Sequence, residues 1–119
     1  MGSKLEKNEK KSKYFTLVCQ RLSAVNGFSD LDSRELLMDC QMDILNLVEE
    51  NVNLAENGDY YGLKLGLHKL KGTAGNLQIR EIFELVKKIE SEIDLLDDLT
   101  LKRDLESIKA QVSLLYGGE

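Results

Sequence analysis

At 119 residues the chain has room for one domain with a buried core, but not for a kinase or a nucleotide-binding fold with additions. Its 42% hydrophobic and 31% charged residues lie in the ordinary globular range, and the absence of proline leaves nothing to interrupt long helices. A net charge of −5 argues against nucleic acid as a partner, since phosphate backbones are met by clustered Lys and Arg; no run reaches the 18 apolar residues of a membrane span, so no direct membrane contact is expected.

In chain order, residues 1–13 hold five lysines against two glutamates and read as a lysine-rich, solvated leader, with Met1-Gly2-Ser3 resembling an expression remnant. Residues 14–119 form the domain proper. Residues 9–25, with Tyr14, Phe15, Leu17, Val18, Leu22 and Val25, suggest an extra N-terminal helix ended near Asn26-Gly27. A first bundle helix is expected over 33–57, capped by Asp32 or Ser33, with Leu37, Ile44, Val48, Val52 and Ala55 as its stripe and Leu47 beside it. Gly58 suits the left-handed residue after that helix, and Asp59 then caps the next. The second helix, 59–77, repeats Leu63, Leu67, Leu70, Ala74 and Leu77 at helical spacing. The third, 80–96, carries Ile82, Val86, Ile89, Ile93 and Leu96; the fourth, 99–115, carries Leu101, Leu105, Ile108, Val112 and Leu115. Short connections make neighbours antiparallel, so the expected fold is all-α: an up-down-up-down four-helix bundle with an additional N-terminal helix. Cys19 and Cys40 show no metal-ligand spacing, and with a single histidine in the chain they read as reduced thiols of a cytoplasmic protein.

The chemistry is concentrated in Leu67-His68-Lys69-Leu70-Lys71-Gly72-Thr73-Ala74-Gly75-Asn76-Leu77. His68 follows the stripe residue Leu67, so it is turned about 100° from the core and faces solvent. Lys71 lies one turn beyond it, Gly72 and Gly75 follow on the same face, and Lys64 and Leu65 precede it by one turn. Each glycine inside a helix costs about 0.8–1 kcal/mol relative to alanine. Gly72 and Gly75 would repay that cost by flattening the ground beside an exposed imidazole so that another protein can approach. A neutral imidazole nitrogen is a nucleophile near neutral pH and forms covalent intermediates. A phosphoryl group placed there would find the Lys71 ammonium one turn away. Glu90 follows the stripe residue Ile89 on the third helix, and in a hairpin turning near Gln78-Ile79 it is as far from the turn as His68. It is therefore a candidate to hold the second ring nitrogen, although Lys87 and Asp94 also place it in a mixed surface charge pattern. Leu65 and Phe83 are candidate exposed apolar residues of a docking patch.

The HxLKG element inside an amphipathic helix, the Gly58-Asp59 turn before it and the Ile89-Glu90 pair after it resemble histidine-containing phosphotransfer (HPt) domains of multistep two-component signalling, over about residues 30–115. The resemblance implies that His68 is phosphorylated, that Lys71 faces the phosphoryl group, that Gly72 provides clearance and that Glu90 hydrogen-bonds the imidazole. It implies a phosphoryl carrier without an ATP-binding site of its own, monomeric, exchanging phosphoryl groups with receiver-domain aspartates of response regulators or a hybrid histidine kinase. No cofactor is expected in this chain; Mg²⁺ would belong to the receiver. Lys64, Leu65, Gly75 and Phe83 would meet the partner. One departure is Gln78, where the family usually has a small residue, often glycine. Two other readings compete. The dimerisation and phosphoacceptor domain of a histidine kinase usually shows an acid after its histidine, where Lys69 stands here. A purely structural helical bundle leaves the exposed histidine among Lys and Gly unexplained.

Overall fold

The computed structural model describes residues 12–117, and among them six helices and no strand. They are α1 (Lys13–Asn26), α2 (Asp30–Asp39), α3 (Gln41–Glu56), α4 (Tyr60–Asn76), α5 (Arg80–Glu92) and α6 (Asp98–Tyr116). The last four close the expected antiparallel bundle: α4 packs on α3 and α5, and α6 packs on α3 and α5 from the other side. Leu63, Leu67 and Leu70 of α4, Ile82, Val86 and Ile89 of α5, and Leu101, Leu105, Ile108 and Val112 of α6 are all buried along the shared axis. Their 3–4 spacing put them on one face of each helix, and burying that face is the main driving force for the bundle.

The N-terminal helix is present as α1. Ser12 caps it by accepting from the Phe15 N–H at 3.1 Å, and Gly27 ends it at φ 73°. The expected leader over 1–13 lies outside the described residues through 1–11; its last two positions are the cap and first residue of α1. Phe15, Val18, Cys19 and Leu22 bury against α2 and α6, so α1 closes one end of the bundle. The hydroxyl of Tyr116 donates to the Leu37 carbonyl at 2.7 Å beneath it. Both cysteines are free thiols, and burial pushes Cys19 up to about 11.

Three expectations need correction. The single helix expected over 33–57 is two helices that bend at Cys40 (φ −85°, ψ −4°). The bend lets α2 pack with α1 while α3 packs on α4 and α6, and the apolar pattern of the sequence does not mark it. The cap of α2 is Ser29, which accepts from the Asp32 N–H at 3.0 Å, whereas Ser33 is buried with its Oγ 2.8 Å from that of Ser23. Second, Val52 is only half buried, and Asn51 takes the core position instead. Third, α5 ends at Glu92 rather than at 96; Ile93 still reaches the core from the turn that follows, which is why the apolar pattern overran the helix.

Arg21 of α1 ties the α4–α5 turn. Its guanidinium forks onto Glu81 with two 2.9 Å bonds and also donates to the Gln78 carbonyl at 3.2 Å. That Arg21 bond holds the Glu81 carboxyl below its ordinary value of 4.5. A carboxyl depressed by folding stabilises above its unfolded value, and that stability is lost as pH falls through the folded one. Arg21→Ala should therefore cost about 1 kcal/mol at neutral pH, a figure kept small because Glu81 is partly exposed and screened. Melting curves of the variant and parent should draw together as pH drops below about 4. A gap that widened in acid would contradict this account of the tie.

Candidate functional site

The site is built on the α4–α5 hairpin. Asp59 opens α4 by accepting from the Gly62 N–H at 2.9 Å. The helix buries Leu63, Leu67, Leu70 and Ala74, which turns His68 outward with 74% of its side chain exposed. The hairpin turn passes through Gln78 at φ 62°, a left-handed conformation in which a non-glycine residue is uncommon. This is the position where the sequence departs from the small residue usual in the family it resembles. Here the glutamine is held by the Arg21 bond to its carbonyl and by its own side-chain amide, which donates to the Gly75 carbonyl at 3.3 Å.

The antiparallel hairpin brings His68 and Glu90 together. Buried Ile89 anchors α5 and sets Glu90 one residue off the core, mirroring Leu67 and His68 across the pair. His68 Nδ1 lies 3.2 Å from Glu90 Oε2, and Lys71 Nζ donates to the other carboxylate oxygen, Oε1, at 2.5 Å. Lys71 and Glu90 are each about three-quarters buried, with 24% of the side chain exposed. The Lys71 bond, followed by that of His68, holds the Glu90 carboxyl below the usual carboxylate range. Glu90 is thus more than one charge in a surface pattern: it bridges the histidine and the lysine. Lys71 differs from expectation in that its ammonium is engaged by the carboxylate.

The remaining candidate positions separate. A Cβ at Gly72 would meet nothing within 4 Å, so the ground one turn beyond His68 is open. Gly75 is different: a Cβ there would come 3.3 Å from the Phe83 ring, so this glycine makes room for a half-buried Phe83 rather than leaving bare surface. Lys64 pairs with Asp94 at 2.8 Å on the rim, and Leu65 is 59% exposed. Tyr61, 77% exposed, joins Leu65 and His68 on one stripe of α4. Its seven-residue spacing from His68 is visible in the sequence within the helix expected over 59–77, but spacing alone does not single it out; its exposure in the structure does.

The comparison with known families supplies the identity behind this geometry. The profile of the Hpt domain matches residues 32–114, most of the chain and all but the last two residues of the four-helix bundle. The chain belongs to the Hpt domain family. No curated protein and no solved structure matches it. Hpt domains are phosphocarriers that work with receiver domains and histidine kinases, so membership gives this Hpt domain a phosphotransfer role in two-component signalling. The match begins within α2, and α1 with its Arg21 tie precedes it. Among the described residues no helix is long and apolar enough to cross a membrane.

Proposed function

We propose that this Hpt domain is a relay intermediate in which His68 Nε2 takes a phosphoryl group from the aspartate of one receiver domain and passes it to that of another. The observation that carries the reading is the imidazole itself: largely exposed, with Nδ1 at Glu90 and open ground at Gly72. With Nδ1 occupied, Nε2 is the ring nitrogen left to react. In the forward step the Nε2 lone pair attacks phosphorus; the N–P bond forms as the acyl O–P bond breaks, and the receiver carboxylate leaves with the electron pair. The Nδ1 proton stays in place, facing the Glu90 carboxylate. Such transfer depends on in-line positioning and charge neutralisation. The receiver supplies the aspartate and Mg²⁺; this chain supplies a positioned nucleophile and no cofactor. Leu65, Phe83 and the Lys64 rim are the neighbouring surface that a monomer of this domain would offer in a small, transient interface.

The test is a transfer assay. The domain is incubated with an isotopically labelled phosphoreceiver, repurified, and offered to a second receiver. Label should appear on the domain as acid-labile, alkali-stable phosphate and then move on; its failure to load from any cognate receiver would sink the proposal. Gly72 gives a sharper prediction. Gly72→Leu should leave the melting temperature at or above that of the parent, because the position is open and glycine is the poorer helix former by about 1 kcal/mol. The same variant should slow transfer by at least about tenfold, the equivalent of 1.4 kcal/mol of lost docking. Equal transfer rates would show that no partner closes over this turn.

A further inference from the structure

We propose that Gln78 selects among receiver domains: its side chain walls a groove at the α4–α5 turn and its amide reads one side chain of the docked receiver. This rests on the phosphoryl-carrier reading and goes beyond it to the choice of partner. Among the described residues Gln78 is the one non-glycine residue at positive φ, 62°. A side chain there carries a steric cost that glycine would not. Such conformations persist only where the surroundings enforce them, and they gather at functional sites. The turn itself has little use for this side chain. The Arg21 bond is made to the Gln78 backbone carbonyl and would survive replacement by glycine. The amide does donate to the Gly75 carbonyl at 3.3 Å, but that carbonyl already accepts from the Gln78 backbone N–H at 3.2 Å.

What the side chain does is line a groove of about 440 Å³ with Ala74, Gly75, Arg80, Phe83 and Glu84. Ala74, Gly75 and Phe83 make the lining apolar, while Arg80 and Glu84 are exposed charges at its rim. One amide N–H of Gln78 is engaged by Gly75; the second N–H and Oε1 have no hydrogen-bond partner among the described residues. Gly75 lies on the His68 face of α4, seven residues further on, which is about 10 Å at 1.5 Å per residue. A transient interface that buries about 600 Å² on each partner reaches roughly 14 Å from its centre. A receiver centred on His68 therefore covers the groove, and the ground between them at Gly72 is open. The lining suits a side chain with an apolar stem and a hydrogen-bonding end. A receiver that offers a purely apolar residue would bury the Gln78 amide without partners and bind less well.

The readout is the ratio of loading rates from two phosphoreceivers that the parent tells apart. Gln78→Gly removes the wall and the amide; Gln78→Met keeps a side chain of similar length and removes only the amide. Both should melt within about 5 °C of the parent, because the backbone bonds of the turn remain. Each should narrow the ratio by about fivefold, the scale of one hydrogen bond. An unchanged ratio in Gln78→Met overturns the reading role of the amide, and an unchanged ratio in both variants overturns the proposal entirely. A second arm needs no transfer. Unphosphorylated receiver is titrated onto ¹⁵N-labelled parent, and the backbone signals of Gly75, Gln78 and Phe83 should move together with that of His68. Binding that shifts His68 and leaves those three in place, or no binding by any receiver, also overturns the proposal. Phosphoramidate, a small donor that releases ammonia as it phosphorylates an imidazole, separates the two readings. If neither it nor any receiver loads the parent, the carrier reading fails on its own, and the titration still decides whether a receiver covers the groove.

Discussion

Gly66→Ala should destabilise the domain by about 2 kcal/mol, although alanine is the better helix former by about 1 kcal/mol. A Cβ at this position would stand 2.0 Å from Oδ1 of Asn51, far inside contact distance. Asn51 cannot swing aside into water, since it is 1% exposed in the α3–α4 interface. Its side-chain oxygen and nitrogen find no hydrogen-bond partner among the described residues. The missing side chain of Gly66 points at that oxygen, so the glycine offers it a Cα–H contact, a weak substitute for a hydrogen bond. Inserting a methyl group would force α3 and α4 apart along the helix that carries His68. For a domain of this size the loss corresponds to a fall in melting temperature of roughly 10 °C. Asn51→Ala in the same protein should recover most of it, because the atom in the way is gone. If the double variant melts no higher than Gly66→Ala alone, the cause lies elsewhere than in this contact.

His68→Gln is expected to abolish phosphate acceptance while leaving the fold untouched. The side chain is exposed and contributes no core packing, so thermal stability should stay within about 0.5 kcal/mol of the parent. Glutamine can still donate an amide N–H to Glu90, which preserves the hairpin contact and removes only the nucleophile. The effect on loading is all or nothing, because no other histidine exists in the chain to take over. Residual acid-labile phosphate on the variant would place the acceptor at another residue.

Much of this site was legible in the sequence, for reasons that differ from residue to residue. Helical phase alone turned His68 outward, because Leu63, Leu67, Leu70 and Ala74 define the buried side of α4 without ambiguity. The symmetric distances from the turn were enough to pair His68 with Glu90. What pattern cannot supply is the choice among several chemically equivalent contacts. Lys71 stands one turn from His68 and also within reach of a carboxylate on the next helix, and only the folded hairpin shows that its ammonium meets Glu90. Likewise Gly72 and Gly75 look alike along the chain, yet one faces open space and the other faces the Phe83 ring. The bend at Cys40 left no trace because no glycine or proline marks it; it is imposed by α1 and α2 packing over the bundle end. Asn51 was hidden for a related reason: a polar residue on a core stripe reads as a break in the pattern until its neighbour is seen to be a glycine.

The central claim is that one nitrogen of one side chain carries the phosphoryl group. The most direct measurement is to load the domain from a phosphoreceiver and assign the phosphorus by ³¹P and ¹⁵N NMR on histidine-labelled protein. The account predicts a phosphoramidate at Nε2 of His68, stable in alkali and lost in acid, with Nδ1 still protonated toward Glu90. Phosphate bonded to Nδ1, or an acid-stable phosphoester elsewhere in the chain, would contradict it.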